Sequence, residues 1–302
     1  MLEKPAQLKL DADNLRGMGW MGISVLGASL MAISVRGVSH EISSNMIVFY
    51  RATIILVFML AALAVSGKTR QAMRFSRPWL HVLRGSLIGF ATMMGYYTIA
   101  TIPLATGTVL FFTAPIFATL INLFMHGERV GPRRITAIVL GFLGAVIVLR
   151  PDVGRIEAGM VTAIGSSMCF ALALSLSRNL ARADGAISTF CSSIFFTVLV
   201  SLPLAARDFQ VPELGWTWIA LSAVVVSTVV RGYADIVAYH LAEAAVLAPL
   251  AYMRLVLIGV AAYFIFGEVP DTATYIGAAI IVGSTLYIAQ RQAALRRKAA
   301  KT

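Results

Sequence analysis

The 302-residue chain is 59% hydrophobic and 13% charged, with a formal net charge of +11, and its mean hydropathy is +0.82. No water-soluble domain of this length hides so much apolar surface, so most of the chain is expected to be solvated by lipid. The basic excess then has to be read as membrane topology before it is read as a nucleic-acid footprint.

The opening MLEKPAQLKLDADNLRG is polar and leads into a full-length span, not into a short apolar core with a cleavage site, so a removed signal peptide is not expected. Residues 1–16 read as a tail. Apolar runs follow at about 17–37, 45–66, 79–100, 103–125, 133–149, 159–180, 187–206, 216–240, 243–266 and 272–290, most near the 20 residues that cross a hydrocarbon core. They predict ten transmembrane helices, the fifth short enough to need a thin bilayer or its flanking arginines. Residues 291–302 read as a basic tail.

Within this frame several apparent motifs lose their force. GMGWMG at 17–22 matches a dinucleotide fingerprint but opens a membrane helix where that fingerprint needs a preceding strand. Gly85, Gly89, Thr92 and Tyr96 form one small or polar stripe on the third span, suited to close helix packing or to a pore lining. Cys169 and Cys191 lie inside spans, where a small apolar thiol is expected and no disulfide or metal site.

The chain repeats itself. Residues 97–128, YTIATIPLATGTVLFFTAPIFATLINLFMHGE, recur in outline about 140 positions later as VAYHLAEAAVLAPLAYMRLVLIGVAAYFIFGE, and the two copies end in Gly127-Glu128 and Gly267-Glu268. Five spans per copy force the second copy to enter the bilayer from the opposite face. The expected fold is therefore an all-α integral membrane protein with ten transmembrane helices, as two inverted five-helix repeats (17–150 and 151–290) around a central cavity, the mark of a transporter. On this topology seventeen lysines and arginines fall on one side (Lys4, Lys9, Arg16, Lys68, Arg70, Arg74, Arg77, Arg129, Arg133, Arg134, Arg178, Arg182, Arg291, Arg296, Arg297, Lys298, Lys301) and four on the other (Arg36, Arg150, Arg155, Arg207). The bias places both termini in the cytoplasm and the chain in the inner membrane as a multi-pass protein.

The remaining charges lie inside the hydrocarbon: Arg51, Arg84, Arg231, Arg254 and one acid, Asp235. Arg51 and Arg84 are close enough to helix ends to snorkel. Arg231 and Arg254 are too deep for that and should face the bundle interior. Asp235 follows Arg231 by one turn and can pair with it, which leaves Arg254 as a positive charge that an anionic substrate group would neutralise. Ser227, Thr228, Arg231 and Asp235 line one face of the eighth span. Thr108, Phe111, Phe112, Pro115, Thr119 and Asn122 run along the fourth. Pro115 and Pro249 should free the carbonyls of Phe111 and Ala245, either as a packing kink or as acceptors for a ligand. Tyr96, Tyr97, Tyr233 and Tyr252 offer rings with a polar tip. The substrate-binding set expected from the sequence is thus Arg254, Arg231, Asp235, Tyr96, Tyr97, Phe111, Tyr233 and Tyr252.

The ten spans, the repeated Gly-Glu ending, and Tyr97 followed by Pro103 at the start of the fourth span resemble the drug/metabolite transporter superfamily, specifically EamA-like exporters. That resemblance implies a basket in which spans one, three, four, six, eight and nine line the cavity, with five and ten outside. It implies export of small metabolites, and the interior arginine beside aromatic side chains suits amino acids, aromatic ones included; drugs and nucleobase-type metabolites are the alternative. The second repeat departs from the first in carrying Arg254 close to where the first has Ala114-Pro115. No cofactor and no nucleic-acid partner is expected, only a small-molecule substrate and the lipid bilayer. An intramembrane enzyme would need a positioned nucleophile and base or a metal cluster, and His40, His81, His126 and His240 sit near the ends of different spans. With Asp235 facing Arg231, facilitated exit down a gradient is favoured over proton antiport.

Overall fold

The computed structural model describes residues 4–66, 75–126, 132–149, 157–213, 215–242 and 244–299. Regular structure among them is helical: α1 (Lys4–Val38), α2 (Ser44–Val65), α3 (Pro78–Thr101), α4 (Leu104–Phe111), α5 (Ala114–His126), α6 (Pro132–Leu149), α7 (Ala158–Arg207), α8 (Trp216–Leu241), α9 (Ala244–Phe266) and α10 (Thr272–Ala299). Among the described residues seven stretches are long and apolar enough to cross a membrane: 13–38, 44–65, 104–121, 158–177, 187–207, 216–241 and 246–266. Two shorter apolar helices, 135–149 and 272–288, correspond to the fifth and tenth expected spans, and α3 to the third.

Helices α1 and α10 run on into the expected tails, from Lys4 and to Ala299, and two spans are divided differently from the sequence expectation. The fourth span is broken at Phe112 and Thr113 into α4 and α5, so Pro115 sits in the first turn of α5, where a missing N–H costs nothing. The carbonyls exposed at the break do not wait for a ligand. Leu110 O accepts from Thr113 N at 3.1 Å and from Thr113 Oγ1 at 2.7 Å, and Ser167 Oγ donates to Leu110 O at 3.3 Å and Phe111 O at 3.4 Å. The sixth and seventh spans, expected as separate helices, are arms of α7 joined through one non-helical residue, Gly185, at φ 86° and ψ 162°. That combination is open to glycine and almost nothing else.

The arms of α7 pack on α3, α1 packs on α8, and α6 on α10, so the fifth and tenth spans pack against each other. Gly85 and Gly89 serve the α3–α7 contact: a Cβ at 85 would meet Phe196 Cδ2 at 2.6 Å, and one at 89 would meet Val200 Cβ at 3.1 Å. Packing is the reading that holds for these glycines. Gly17, in the false dinucleotide motif, lies against α8, where a Cβ would meet Ala242 Cβ at 2.5 Å.

At the bend of α7, between its two apolar arms, a buried polar line ties the hairpin to α3. Asp184 Oδ2 accepts from His81 Nε2 at 2.9 Å, and Asp184 Oδ1 from the Ser76 backbone N–H at 3.0 Å. His81 Nδ1 is bonded to Ser192 Oγ at 2.9 Å. The order Ser–His–Asp is that of a hydrolase triad, but all three side chains are buried, and Ser192 Oγ also reaches Thr189 O at 3.0 Å, so the line works as a latch. The hydrogen bond from His81, with the bonds from Ser76, holds the Asp184 carboxyl below the usual carboxylate range. A depressed folded-state pKa contributes stability that is present above the unfolded value, about pH 4, and lost as pH falls through the folded one. Melting of detergent-solubilised wild-type protein should therefore drop across that acid window. Asp184→Asn should melt lower than wild type at neutral pH and show a flatter acid profile.

Candidate interior binding site

The i, i+4 spacing on α8 sets Arg231 and Asp235 on one face, and Arg231 Nε lies 3.6 Å from Asp235 Oδ2. The other carboxylate oxygen of Asp235 accepts from Ser24 Oγ of α1 at 2.5 Å, which fixes this face of α8 toward α1. Arg254 enters from α9. Its guanidinium carbon stands 5.1 Å from the centroid of the Phe112 ring, at the break between α4 and α5, and its Nε is buried without a hydrogen-bond partner. Arg254 interacts electrostatically with both Arg231 and Asp235. Phe112 packs against Tyr252, centroids 4.7 Å apart, and the Tyr252 hydroxyl donates to Thr285 Oγ1 on α10.

The cluster therefore holds two guanidinium groups and one carboxylate. Among the described residues no carboxylate lies within ion-pairing distance of Arg254; its face-on contact with Phe112 is a cation–π interaction that leaves its in-plane donors free to take an anion. Of the eight residues expected from the sequence, four converge here: Arg254, Arg231, Asp235 and Tyr252. The others lie elsewhere. Tyr96 is buried and bonded to Arg51. Phe111 packs between two buried clusters. Tyr233 stands edge-on to Trp20 at 5.6 Å, and Tyr97 projects from α3 as an exposed side chain. Sequence reasoning missed Ser24, Phe112 and Thr285 as members; only Phe112 carried a signal, as part of the aromatic and polar stripe on the fourth span.

The snorkelling expected of Arg51 and Arg84 is not found. Arg84 is bonded across the α3–α7 interface, from Nε to Ser177 Oγ at 2.7 Å, from Nη1 to Thr189 O at 3.0 Å, and to Ser193 Oγ. Arg51 is 7% exposed and faces Tyr96. Both helices are held by neighbours at these positions, so bonding into the bundle replaces a climb to the headgroups.

At the end of the bundle remote from the chain termini, Arg36 near the end of α1 donates from Nη1 to Ile99 O at 3.2 Å and Ala100 O at 2.7 Å, closing the last turn of α3. Its Nη2 pairs with Glu268 Oε1 at 2.9 Å. Glu268 Oε2 accepts from the Leu104 N–H at 2.7 Å, an N-terminal donor of α4. Gly267, at φ 67°, ends α9 in the left-handed conformation that glycine tolerates best and turns the glutamate toward α4. The repeated Gly-Glu thus has a physical meaning in the second copy, where it braces one repeat against the other. Gly127 and Glu128 lie outside the described residues.

The sequence model described as the EamA-like transporter family matches this chain twice, over residues 15–150 and 157–290. The S-adenosylmethionine uptake transporter of Rickettsia felis is 28% identical over 91% of this chain and 92% of its own length. The riboflavin transporter of Vibrio cholerae is 27% identical over 91% and 93%, and the pseudopaline exporter of Pseudomonas aeruginosa 27% over 84% and 89%. A solved crystal structure 18% identical in sequence superposes with a TM-score of 0.61, covering 92% of this chain and 98% of that one, and shows the same fold.

Proposed function

The chain belongs to the EamA-like transporter family, and from that premise we propose that it carries small metabolites with an amino-acid head group across the cytoplasmic membrane of a bacterium, its termini in the cytoplasm. The observation that carries this reading is Arg254, a half-buried guanidinium over the face of Phe112 whose Nε is buried and, among the described residues, without a partner. A substrate carboxylate is the group that best completes it, since a planar fork of donors matches a carboxylate bidentately. The substrate ammonium would then lie toward Asp235, which already accepts from Ser24, and a ring or thioether would lie against Phe112 and Tyr252.

Free amino acids, aromatic ones included, satisfy this chemistry. So does S-adenosylmethionine, which joins an amino-acid head to a nucleobase and is the cargo named for a relative covering nearly the whole chain. Relatives include both uptake and export proteins, and Asp235 is engaged on both oxygens, so we assign flux to the substrate gradient, outward for a metabolite made in the cell. Purified protein in liposomes loaded with labelled phenylalanine, methionine or S-adenosylmethionine should release at least one of them with saturable kinetics. Release no faster than from empty liposomes for all three would sink the proposal.

A further inference from the structure

Besides Arg231, the arginines that face into the bundle, Arg36, Arg51, Arg84 and Arg254, fall into two kinds. Arg36 and Arg84 are saturated: the first holds two carbonyls and a carboxylate, the second two hydroxyls and a carbonyl. That is how an arginine kept for architecture is satisfied. Arg51 and Arg254 are not. Among the described residues Arg51 makes one hydrogen bond, from Nη1 to the Tyr96 hydroxyl at 3.1 Å, and its guanidinium carbon stands 5.0 Å over the Tyr96 ring. Its side chain is buried, at 7% exposure, and its Nε has no partner. Among the described residues no carboxylate pairs with it. A neutral hydroxyl and a ring face do not cancel a buried charge. Arg254 repeats the construction, with a guanidinium above an aromatic ring and Nε orphaned.

Depth separates the two. Arg51 lies seven residues (44 to 51) from the end of α2 that is remote from the chain termini, about 10 Å along the helix, while Arg254 lies twelve (254 to 266) from the corresponding end of α9, about 18 Å. Tyr96 belongs to the buried cluster that includes Val35 of α1, Val224 of α8 and Ile258 of α9, so Arg51 and its ring approach the axis of the bundle and not its rim. The Arg36–Glu268 brace lies beyond, at that remote end.

We infer that Arg51 and Tyr96 form a second carboxylate subsite, which takes the substrate's head group from Arg254 on its way to or from the face remote from the termini. The inference rests on the carboxylate-bearing substrate proposed above. In the present conformation the remote half is packed shut, and Tyr96 holds the place the carboxylate takes when that half opens. One substrate occupies one station at a time, because the two arginines serve successive positions of a single group.

The test is sidedness. In proteoliposomes of one orientation, with labelled phenylalanine and S-adenosylmethionine as probes, KM is measured separately from each face for wild type, Arg51→Gln and Arg51→Lys. Loss of charge-assisted bonds in the glutamine variant should raise KM from the face remote from the termini by about ten- to a hundredfold. The lysine variant should show a smaller rise, and KM from the termini face should move by less than about threefold in both. An equal rise on both faces, or none on either, overturns the inference. A second readout needs no substrate. Arg51→Met should melt at or above wild type, since it removes an unpaired buried charge, and a melting point below wild type overturns the inference by making Arg51 architectural. If wild type carries no probe, the head group proposed in the preceding section falls, and the melting comparison alone decides the role of Arg51.

Discussion

Arg254→Gln should abolish transport, by at least about a hundredfold in kcat/KM, while leaving the melting temperature within a few degrees of wild type. Two charge-assisted hydrogen bonds to a carboxylate account for a loss of that size. Stability should hold because no carboxylate of the described residues is left unpaired when the guanidinium goes; only the stack on Phe112 is lost, and its contribution is offset by removing a half-buried, unpaired charge. A structural ion pair would behave in the opposite way, with a destabilisation of roughly 3–5 kcal/mol. Arg254→Lys keeps the charge but not the planar fork, so it should raise KM by about tenfold with near-normal melting. Flux and calorimetric melting on the same purified preparations separate the readings, and wild-type efflux from the glutamine variant would eliminate a carboxylate at Arg254.

Glu268→Gln should produce the largest loss of stability among single substitutions in the charged network, roughly 3–5 kcal/mol. The carboxylate pairs with Arg36 and accepts from Leu104 N, and both partners of the pair are largely buried, at 17% and 13% exposure. Glutamine leaves Arg36 charged without its counter-ion. The double variant Arg36→Met with Glu268→Leu should recover much of the loss, because an apolar pair replaces an ion pair with little net cost. A double-mutant cycle on melting free energies measures the coupling directly; additive effects of the two single changes would show that the brace carries no coupling. The same variant should also open the remote face more readily, which labelling of an introduced cysteine near Ile102 would report.

The membrane spans were legible because their signal is local: an apolar run near 20 residues long is a bilayer crossing whatever it packs against. The latch at the α7 bend was not, since His81 finds Asp184 and Ser192 more than a hundred positions away. Depth along a helix showed which charges must be accounted for, but not which way they face. Arg231 and Asp235 were readable as neighbours through their i, i+4 spacing, whereas the stack of Arg254 on Phe112 depends on a helix break that an apolar run with an internal proline does not announce. Pro115 drew attention to the right segment, where the helix does break, but not to free acceptors for a ligand. Its place in the first turn of α5 makes it a helix starter, and the carbonyls at the break are satisfied by Thr113 and Ser167. The repeated Gly-Glu was visible as a signature, but its use in joining α9 to α4 and α1 required the third dimension.

A straight helix of 50 residues, the length of α7, would extend about 75 Å, more than twice the hydrocarbon thickness. The chain avoids this by reversing at Gly185, where φ is 86°. Every segment after that point, from the second arm of α7 through α10, inherits its direction of travel from the reversal. A nascent chain that ran on straight past residue 185 would deliver the four remaining spans to the bilayer with the wrong end leading, placing Arg231 and Arg254 in an upside-down half. In the folded protein the direction of the last four spans thus passes through one backbone angle, which has to agree with the charge bias that orients the chain.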